Sequence, residues 1–224
     1  MNLQSLNLWI DPVSRTGPES MAVDEWLLGL GRPILRIYRW RGEWGSLGYF
    51  GRLSQAQTSL PEIHLWVRRW TGGGTVDHRA DWPYTLVIPS IGFDQRLSGA
   101  ESYLLIHKAL LDALEPEALD ARLCGGDKQT GDATCFDNPV THDLVNGTGK
   151  KIAGAGQKRT KAGLLHQGSV ALPLDGMASE KRAKRMADAL SQKKWAAFNE
   201  EPPASALRQL QLRYENADWL GKRP

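Results

Sequence analysis

The fold of this chain depends on residues 149–172, which read GKKIAGAGQKRTKAGLLHQGSVAL. Gly149 opens the stretch as a turn, Lys151 precedes a run of small residues, and a second basic cluster follows at 158–161. Glycine lacks a Cβ, so the backbone here can approach a ligand closely. A lysine aimed into such a turn is within reach of a phosphate, a carboxylate or a polarised carbonyl. By itself, the stretch fits a ligand site and a β-hairpin with a solvated basic tip equally well.

The composition is that of a globular protein. A chain of 224 residues can form one domain and bury a sizeable core. Hydrophobic residues make up 41% and charged residues 24%, which argues against disorder. The net charge of +3 is too small to indicate nucleic-acid binding. The sequence shows no signal-peptide pattern and no apolar run of the roughly 18 residues that a bilayer requires. We therefore expect a cytoplasmic protein that does not associate with membranes.

Two cysteines, Cys124 and Cys135, are too few for a disulfide framework or a four-ligand zinc site. We therefore predict no metal site. Cys135 ends a long Gly-, Asp- and Thr-rich stretch, and such a loop is unusual in a compact domain unless it has a function. With Lys151 and His142 nearby in the sequence, its thiol is a candidate nucleophile. An inert buried thiol is the alternative, and this is what we predict for Cys124.

Periodicity and chain breakers predict alternating strands and helices. Thr16-Gly-Pro-Glu19 has the form of a capping box and starts a helix over 18–30. Apolar residues at helical spacing predict a second helix over 98–114. A basic helix over 178–190, with a solvated charged face, and a last helix over 204–214 follow. Strands are predicted at 6–10, 34–40, 44–51, 65–69, 84–89 and 143–145.

Residues 71–78, TGGGTVDH, follow the strand predicted at 65–69. Three glycines directly after a strand allow backbone N–H groups to point at an anion. The stretch has neither the Gly-Lys-Ser/Thr of a P-loop nor the GxGxxG spacing of dinucleotide sites. Arg69 and His78 add donors at the same place. A plain flexible turn is the alternative for the loop, and a lone histidine is more often structural than catalytic.

In this order, these pieces resemble the lipoate–protein ligase and octanoyltransferase superfamily, which shares its catalytic fold with biotin–protein ligases. The resemblance covers residues 18–172. It rests on MAVDEWLL (21–28), SLGYF (46–50), RRWTGGGTVDH (68–78) and the DLV…GKKIAGAGQKR…GLLHQGSVAL run (143–172). It implies an α+β fold of the class II synthetase-like type, with a central mixed β-sheet packed with helices. It also implies one catalytic domain over residues 1–224.

The resemblance further implies a pocket bounded by the glycine loop and the lysine segment. Lys151 matches the lysine that sits at the reactive carbonyl, and Cys135 matches the nucleophile position of cysteine-dependent octanoyltransferases. The expected substrate-binding residues are Arg69, Gly72, Gly73, Gly74, His78, Gly154 and His166. An octanoyl chain would also need an apolar tunnel, for which the candidates are Leu47, Tyr49, Trp70 and Val76.

Two reactions fit this family. An octanoyltransferase moves octanoate from acyl carrier protein to a lysine of a 2-oxoacid dehydrogenase lipoyl domain or of the glycine-cleavage H protein, without a cofactor. A ligase uses ATP and Mg²⁺ to form lipoyl-AMP first. The position of Cys135, the DWPYTLVIP pattern at 81–89 and the expected lack of an extra C-terminal domain favour the transferase. A non-catalytic protein that binds lipoyl groups or lipoyl domains is the third possibility.

The chain departs from the family pattern at two places. Its last motif reads His166-Gln167-Gly168-Ser169, with glutamine where relatives place histidine next to the glycine. We expect His166 to point to the opposite strand face, because side chains alternate along a strand. Asp77 occupies a position where relatives hold an apolar or aromatic residue. Both departures leave open a divergent member of the family, with a different acyl group or acceptor.

Overall fold

The computed structural model describes residues 3–92, 97–118, 120–127, 138–172 and 176–222, so the predicted nucleophile Cys135 lies outside the described residues. The strands are β1 (Asn7–Arg15), β2 (Ile34–Trp40), β3 (Trp44–Leu47), β4 (Leu65–Arg68), β5 (Val76–Asp77), β6 (Trp82–Pro89), β7 (Arg122–Leu123), β8 (Leu144–Val145), β9 (Lys151–Thr160), β10 (Gly163–Val170) and β11 (Ala196–Ala197). The helices are α1 (Gly17–Gly29), α2 (Leu53–Ser59), α3 (Gly99–Leu114), α4 (Gly176–Leu190), α5 (Ala204–Glu215) and α6 (Ala217–Gly221).

Two mixed sheets form the centre of the described part of the chain. The larger has the strand order β11-β1-β2-β6-β10-β9-β8-β7, and the smaller has the order β4-β3-β5. β1 runs parallel to β2 and β11, whereas β6, β10, β9 and β8 pair antiparallel. In the small sheet β3 is parallel to β4 and antiparallel to β5. The predicted α+β fold with a central mixed sheet is confirmed.

Different helices cover the two faces of the large sheet. Leu164 of β10 belongs to the core cluster that contains residues of α3 and α4. The next residue, Leu165, belongs to a second cluster, with Val23 and Leu27 of α1. Because side chains alternate along a strand, every second residue of β9 and β10 faces α1, and the others face α3. The α1 face carries the candidate site.

Helix α1 begins as the capping box predicts. The backbone N–H and the hydroxyl of Thr16 both donate to the Glu19 carboxylate. Asp24, in the middle of the helix, is fully buried and pairs with Arg36 of β2 at 2.7 Å. This buried, charge-assisted hydrogen bond fixes α1 against the large sheet.

Several elements differ from the sequence-based expectation, among them the short β5, β7, β11 and α6, which were not predicted. The strand predicted at 6–10 continues to Arg15, after a register shift between Ile10 and Ser14. Helix α2 was not predicted, because it spans seven residues and buries only Ala56. So short a helix gives no readable apolar periodicity. The remaining predicted helices and strands are confirmed, with ends that differ by a few residues.

The prediction of a solvated basic face on α4 is wrong for Arg182. Its side chain is buried, lies 5.0 Å from the Trp82 ring centre and pairs with Glu117. Arg185 binds the same carboxylate. An arginine stem can bury apolar surface while its guanidinium remains paired. Helix α4 packs on the α3 side of the large sheet, away from the α1 face that carries the candidate site.

Candidate active site

The β9–β10 hairpin forms the floor of the candidate site. Its register pairs Gly154 with Ser169 and Gly156 with Gln167, and residues paired across two strands lie on the same face of the sheet. On the α1 face, β9 therefore offers two bare glycines at alternate positions. This leaves room for another backbone segment to lie directly on the strand.

The glycine loop, residues 72–74, occupies that space. A Cβ on Gly156 would lie 2.3 Å from the carbonyl oxygen of Gly72, and a Cβ on Gly48 would lie 2.0 Å from that of Gly73. Both distances are far shorter than a van der Waals contact, so only glycine allows this close approach. Gly73 has a φ of +93°, which L side chains rarely adopt. The loop is packed between two backbone segments and is not a loose turn.

Arg69 supports the loop from inside. Its side chain is buried; Nη2 donates to the carbonyls of Gly72 at 3.3 Å and Gly74 at 2.8 Å, and Nη1 donates to Ser46 Oγ. The planar fork of a guanidinium suits several acceptors at fixed angles. Arg69 therefore connects the glycine loop to strand β3.

His78 continues this hydrogen-bond chain. Its Nε2 lies 2.6 Å from Ser46 Oγ, and its Nδ1 lies 2.7 Å from Asp81 Oδ2. The ring stacks on Trp40 at a centroid distance of 4.3 Å, and Ser169 Oγ donates to the same Asp81 oxygen. Since Arg69 donates to Ser46, the Ser46 hydroxyl proton points to Nε2, and Nδ1–H donates to Asp81. Both ring nitrogens of His78 are occupied.

Gln167 joins the glycine loop to α1. Its Oε1 accepts a hydrogen bond from the Thr71 hydroxyl at 2.7 Å, and its Nε2 donates to Asp24 Oδ2 at 2.7 Å. The Thr85 hydroxyl and Arg36 donate to the same carboxylate. A side-chain amide carries one acceptor and one donor group, so glutamine can satisfy a hydroxyl and a carboxylate at once. Gln167 therefore connects helix α1 to Thr71, the residue that precedes the glycines.

Lys151, the first residue of β9, places its ammonium group beside Gly154 of the same strand. Its Nζ pairs with Asp143 Oδ2 at 2.7 Å, and both side chains are buried. Tyr103 of α3 donates to the other oxygen of Asp143. A Cβ on Gly154 would lie 2.3 Å from Lys151 Cε and 2.5 Å from Nζ. The bare backbone of Gly154 is therefore what lets the ammonium lie there.

A small cavity lies beside the contact between the hairpin and the glycine loop. Its walls come from β2, the glycine loop, β5, β9 and β10, with the lining residues Tyr38, Trp40, Arg69, Gly73, Val76, His78, Gly154, Ala155, Gly156, Gln167, Gly168 and Ser169. The cavity measures about 20 Å³, room for about one water molecule. An acyl chain can enter only if lining side chains move.

The structure brings most predicted site residues together. Arg69, the three glycines of the loop, His78 and Gly154 surround the cavity or support its wall, and Lys151 lies behind Gly154. Of the four tunnel candidates, only Val76 lines the cavity. Leu47 belongs to a separate core cluster. Tyr49 and Trp70 flank Lys158 on the outer side of the loop.

His166 is not part of this group. As alternation predicts, it lies on the α3 face, fully buried, with its ring 5.7 Å from Tyr84 and 5.6 Å from His107. Burial lowers the pKa of His166 well below its ordinary value and lowers the pKa of His107 to about 4. The backbone carbonyl of His142 accepts from His107 Nδ1 on this same side. The second departure, Asp77, pairs with Arg79 at the surface.

Sequence reasoning missed Ser46, Asp81 and Asp143 as parts of the site. All three are buried polar residues with partners in the site. Ser46 and Asp143 lie inside stretches that carried the family resemblance, whereas Asp81 follows one by three residues. The signal that would have found them is a polar residue next to buried strand residues, because such a residue needs a partner. The sequence does not say which partner it meets.

The chain belongs to the family of lipoyl protein ligase A/B catalytic domains, which matches residues 17–211. Among curated proteins it is similar to octanoyltransferase LipM of Carboxydothermus hydrogenoformans, with 37% identity over 180 residues, and of Halalkalibacterium halodurans, with 32% identity over 183 residues. Each match covers 75% of this chain. The matches cover 65% and 66% of the two relatives, so the chain spans slightly less than two thirds of their length.

Solved structures share the fold. A lipoate-protein ligase A bound with ATP has a TM-score of 0.74 at 19% identity and covers 99% of this chain and 100% of that one. The bi-partite lipoate protein ligase of Thermoplasma acidophilum has a TM-score of 0.68 at 18% identity, over 99% and 98% of the two chains. At these identities the likeness establishes the fold only.

The residues that the structure describes contain no cluster of three or more His, Cys, Asp or Glu side chains that could hold a metal ion. No helix in the same residues is long and apolar enough to cross a membrane.

Proposed function

We propose that this protein is an acyltransferase that attaches octanoyl or lipoyl groups to a specific lysine of a lipoyl domain or H protein. The expected donor is octanoyl-acyl carrier protein, and the expected intermediate is a thioester on Cys135. The observation that carries the proposal is the Lys151 ammonium, which pairs with Asp143 and lies against Gly154, a residue that lines the cavity. The similarity to proteins named octanoyltransferase LipM supports this reaction.

The reaction would proceed in two transfers. The Cys135 thiolate attacks the carbonyl carbon of the donor thioester, the carbon–sulfur bond to the carrier breaks, and the carrier leaves as a thiolate. The neutral amine of the acceptor lysine then attacks the enzyme thioester, the amide bond forms, the carbon–sulfur bond to Cys135 breaks and the Cys135 thiolate is released. The amine loses one proton to solvent in this step, which balances the protonation of the carrier thiolate. Covalent catalysis divides one difficult transfer into two easier ones.

Lys151 would stabilise the oxyanion that develops in both transfers. Its ammonium is already oriented by Asp143, so little reorganisation is needed as the charge forms. Loss of one such donor costs roughly 3 kcal/mol of barrier, about a hundredfold in rate. Nε2 of His78, the ring nitrogen that could accept a proton, already accepts from the Ser46 hydroxyl, so we give His78 no part in deprotonating the acceptor amine. We assign His78 a positioning role, in which it holds Ser46 and Ser46 in turn holds the Arg69 side chain.

The position of Cys135 along the chain is compatible with this role. The backbone N–H of Val140 donates to Asp143 Oδ2 at 2.8 Å, the oxygen that also binds Lys151. Five residues of chain span at most about 18 Å. The length of chain between Cys135 and Val140 therefore permits the proposed role.

The proposed transferase reaction requires no cofactor, whereas a ligase would require ATP and Mg²⁺. We further propose that residues 1–224 act as one catalytic unit. The packing of α5 on α1, and of α6 on β4, supports this. A cytoplasmic location stays a prediction.

The test is the intact mass of the protein after incubation with octanoyl-acyl carrier protein in the absence of ATP. We expect an octanoyl adduct that hydroxylamine removes and that Cys135→Ala abolishes. Cys124→Ala is the matched control, because Cys124 is buried and should leave the adduct unchanged. ATP-dependent labelling of a lipoyl domain with free lipoate, without an adduct, would instead make the chain a ligase. Acceptor binding without either reaction would make it a non-catalytic lipoyl-binding protein.

A further inference from the structure

A cationic surface with an aromatic base lies on the outer side of the glycine loop. Lys158 Nζ is 5.5 Å and Lys222 Nζ is 4.6 Å from the centre of the Tyr49 ring. Lys222 also binds the Tyr49 hydroxyl, and the two ammonium groups lower the pKa of that phenol. The adjacent Phe50 is 73% exposed. We call Tyr49, Phe50, Lys158 and Lys222 the Tyr49 patch.

The patch is built into the fold. Arg68 is fully buried and joins the SLGYF segment to the segment around α6. Its guanidinium donates to the backbone carbonyls of Gly48, Tyr49, Gly51, Trp219, Leu220 and Lys222. Several hydrogen bonds to one rigid guanidinium restrict the relative movement of these segments. Helix α6 and Lys222, which the family match does not include, are held beside the glycine loop in this way.

Neither lysine of the patch has an acidic partner among the residues the structure describes. The neighbouring Arg213, which lies over the same Trp70 ring as Lys158, is by contrast paired with Glu25. Two ammonium groups close to one ring repel each other, and an aromatic face compensates each by only about 1 kcal/mol. Carboxylates supplied from outside would remove this repulsion.

The patch adjoins the cavity directly. Lys158 lies two residues beyond Gly156 on the same face of β9, and Gly156 lines the cavity. The backbone N–H of Tyr49 donates to the Thr71 carbonyl, immediately before the glycines. A protein seated on the Tyr49 patch would therefore contact the rim of the candidate active site.

We infer that the Tyr49 patch docks the acidic protein domain that carries the acceptor lysine; this inference rests on the proposed function. Carboxylates of the domain would face Lys158 and Lys222, and an apolar side chain would cover Phe50. We favour the acceptor domain over the acyl carrier as the docked protein because the two proteins extend their reacting groups over different distances. A lysine extends on a four-carbon stem, so its protein must touch the cavity rim. A carrier that presents its acyl group on a long flexible arm can dock farther away.

The test compares the double variant Lys158→Glu/Lys222→Glu with Lys181→Glu/Lys194→Glu, a matched charge reversal at exposed lysines outside the patch. The measurement is steady-state transfer from octanoyl-acyl carrier protein to an isolated lipoyl domain at low and at raised ionic strength. We expect the patch variant to raise KM for the lipoyl domain about tenfold and to lose most of its salt dependence. The control variant should match the unchanged protein.

An unchanged KM for the lipoyl domain would overturn the inference, and so would an increase confined to KM for the carrier protein. If the unchanged protein transfers nothing, the proposed function fails, and calorimetric titration of the full chain with the lipoyl domain decides the docking question separately. Binding that Lys158→Glu/Lys222→Glu abolishes would then support the patch. Absence of binding by the unchanged protein would overturn it.

Discussion

The two faces of the β9–β10 hairpin have different physical roles, although their residues alternate along the same strands. The α1 face carries Gly154, Gly156 and Gln167, which receive a lysine, a loop and a polar network. The α3 face carries Ala153 and His166, which pack into the core against α3. The first face borders the cavity, whereas the second is closed against α3 around the buried His166. Substitutions on the two faces should therefore differ in what they damage.

Gly154→Ala should cause the largest loss of activity. The new Cβ would take the place of the Lys151 ammonium and would displace it from its position against Gly154. We expect the transfer rate to fall about a hundredfold, while overpacking costs only about 1–3 kcal/mol of stability. Single-turnover octanoyl transfer and thermal unfolding measure the two effects. Gly29→Ala is the control, because no atom lies within 4 Å of its added Cβ; equal activity in the two variants would contradict the role of Gly154.

The α3 face should make the protein sensitive to acid. In the unfolded chain the pKa of histidine is about 6.5, whereas burial lowers that of His107 to about 4. Between these values the unfolded state binds more protons, so stability is complete above about pH 6.5 and falls as the pH is lowered towards 4. The loss from His107 is at most about 3 kcal/mol, with Asp143 and Lys151 as the nearest charged groups.

Chemical denaturation across this pH range measures the effect. His107→Gln keeps a donor for the His142 carbonyl but has no group that titrates. We expect its free energy of unfolding to decrease less steeply between pH 6.5 and 4 than that of the unchanged protein. Parallel curves for the two proteins would show that His107 does not contribute.

The fold was largely predictable because its signals are local. The Thr16–Glu19 capping box and the helical spacing over 98–114 identify α1 and α3 without any knowledge of their partners. Alternation also predicted that His166 would lie on the face opposite Gln167, although His166 was also proposed to bind substrate through the family resemblance. In the structure, His166 lies on the α3 face, as alternation predicts.

The connections within the site were not predictable, because they depend on residues distant in sequence. His78 meets Ser46, 32 residues earlier, and Gln167 meets Asp24, 143 residues earlier. Sequence patterns identify residues that need a partner but do not select it. Arg182 shows the same limit, since its burial depends on Glu117 of another segment. Cys135, the most specific catalytic prediction, lies outside the described residues and stays a prediction.

Gly168→Ala tests the α3 face two residues after His166, because the backbone of Gly168 lines the cavity but its added Cβ would point to Tyr84 in the core beside α3. Its Cβ would lie 2.2–2.5 Å from atoms of the Tyr84 ring, which is fully buried. We expect a loss of about 2 kcal/mol in stability, or about 6 °C in Tm for a chain of this size. The activity of the folded fraction should fall less than tenfold. A larger loss of activity than of stability, as predicted for Gly154→Ala, would remove the distinction between the two faces.

The smallest expected effect is the difference between substitutions of two glutamines that lie on opposite faces of the hairpin. Gln167 binds Thr71 and Asp24 below the glycine loop, whereas Gln157 binds Ser102 and His166 on the α3 side. Replacing either by leucine removes buried hydrogen bonds and should cost about 1 kcal/mol of stability. Only Gln167→Leu should also reduce transfer, about fivefold, since it frees the residue that precedes the glycines. Equal activity in the two leucine variants would mean that the glycine loop is held by Arg69 and its glycine contacts alone.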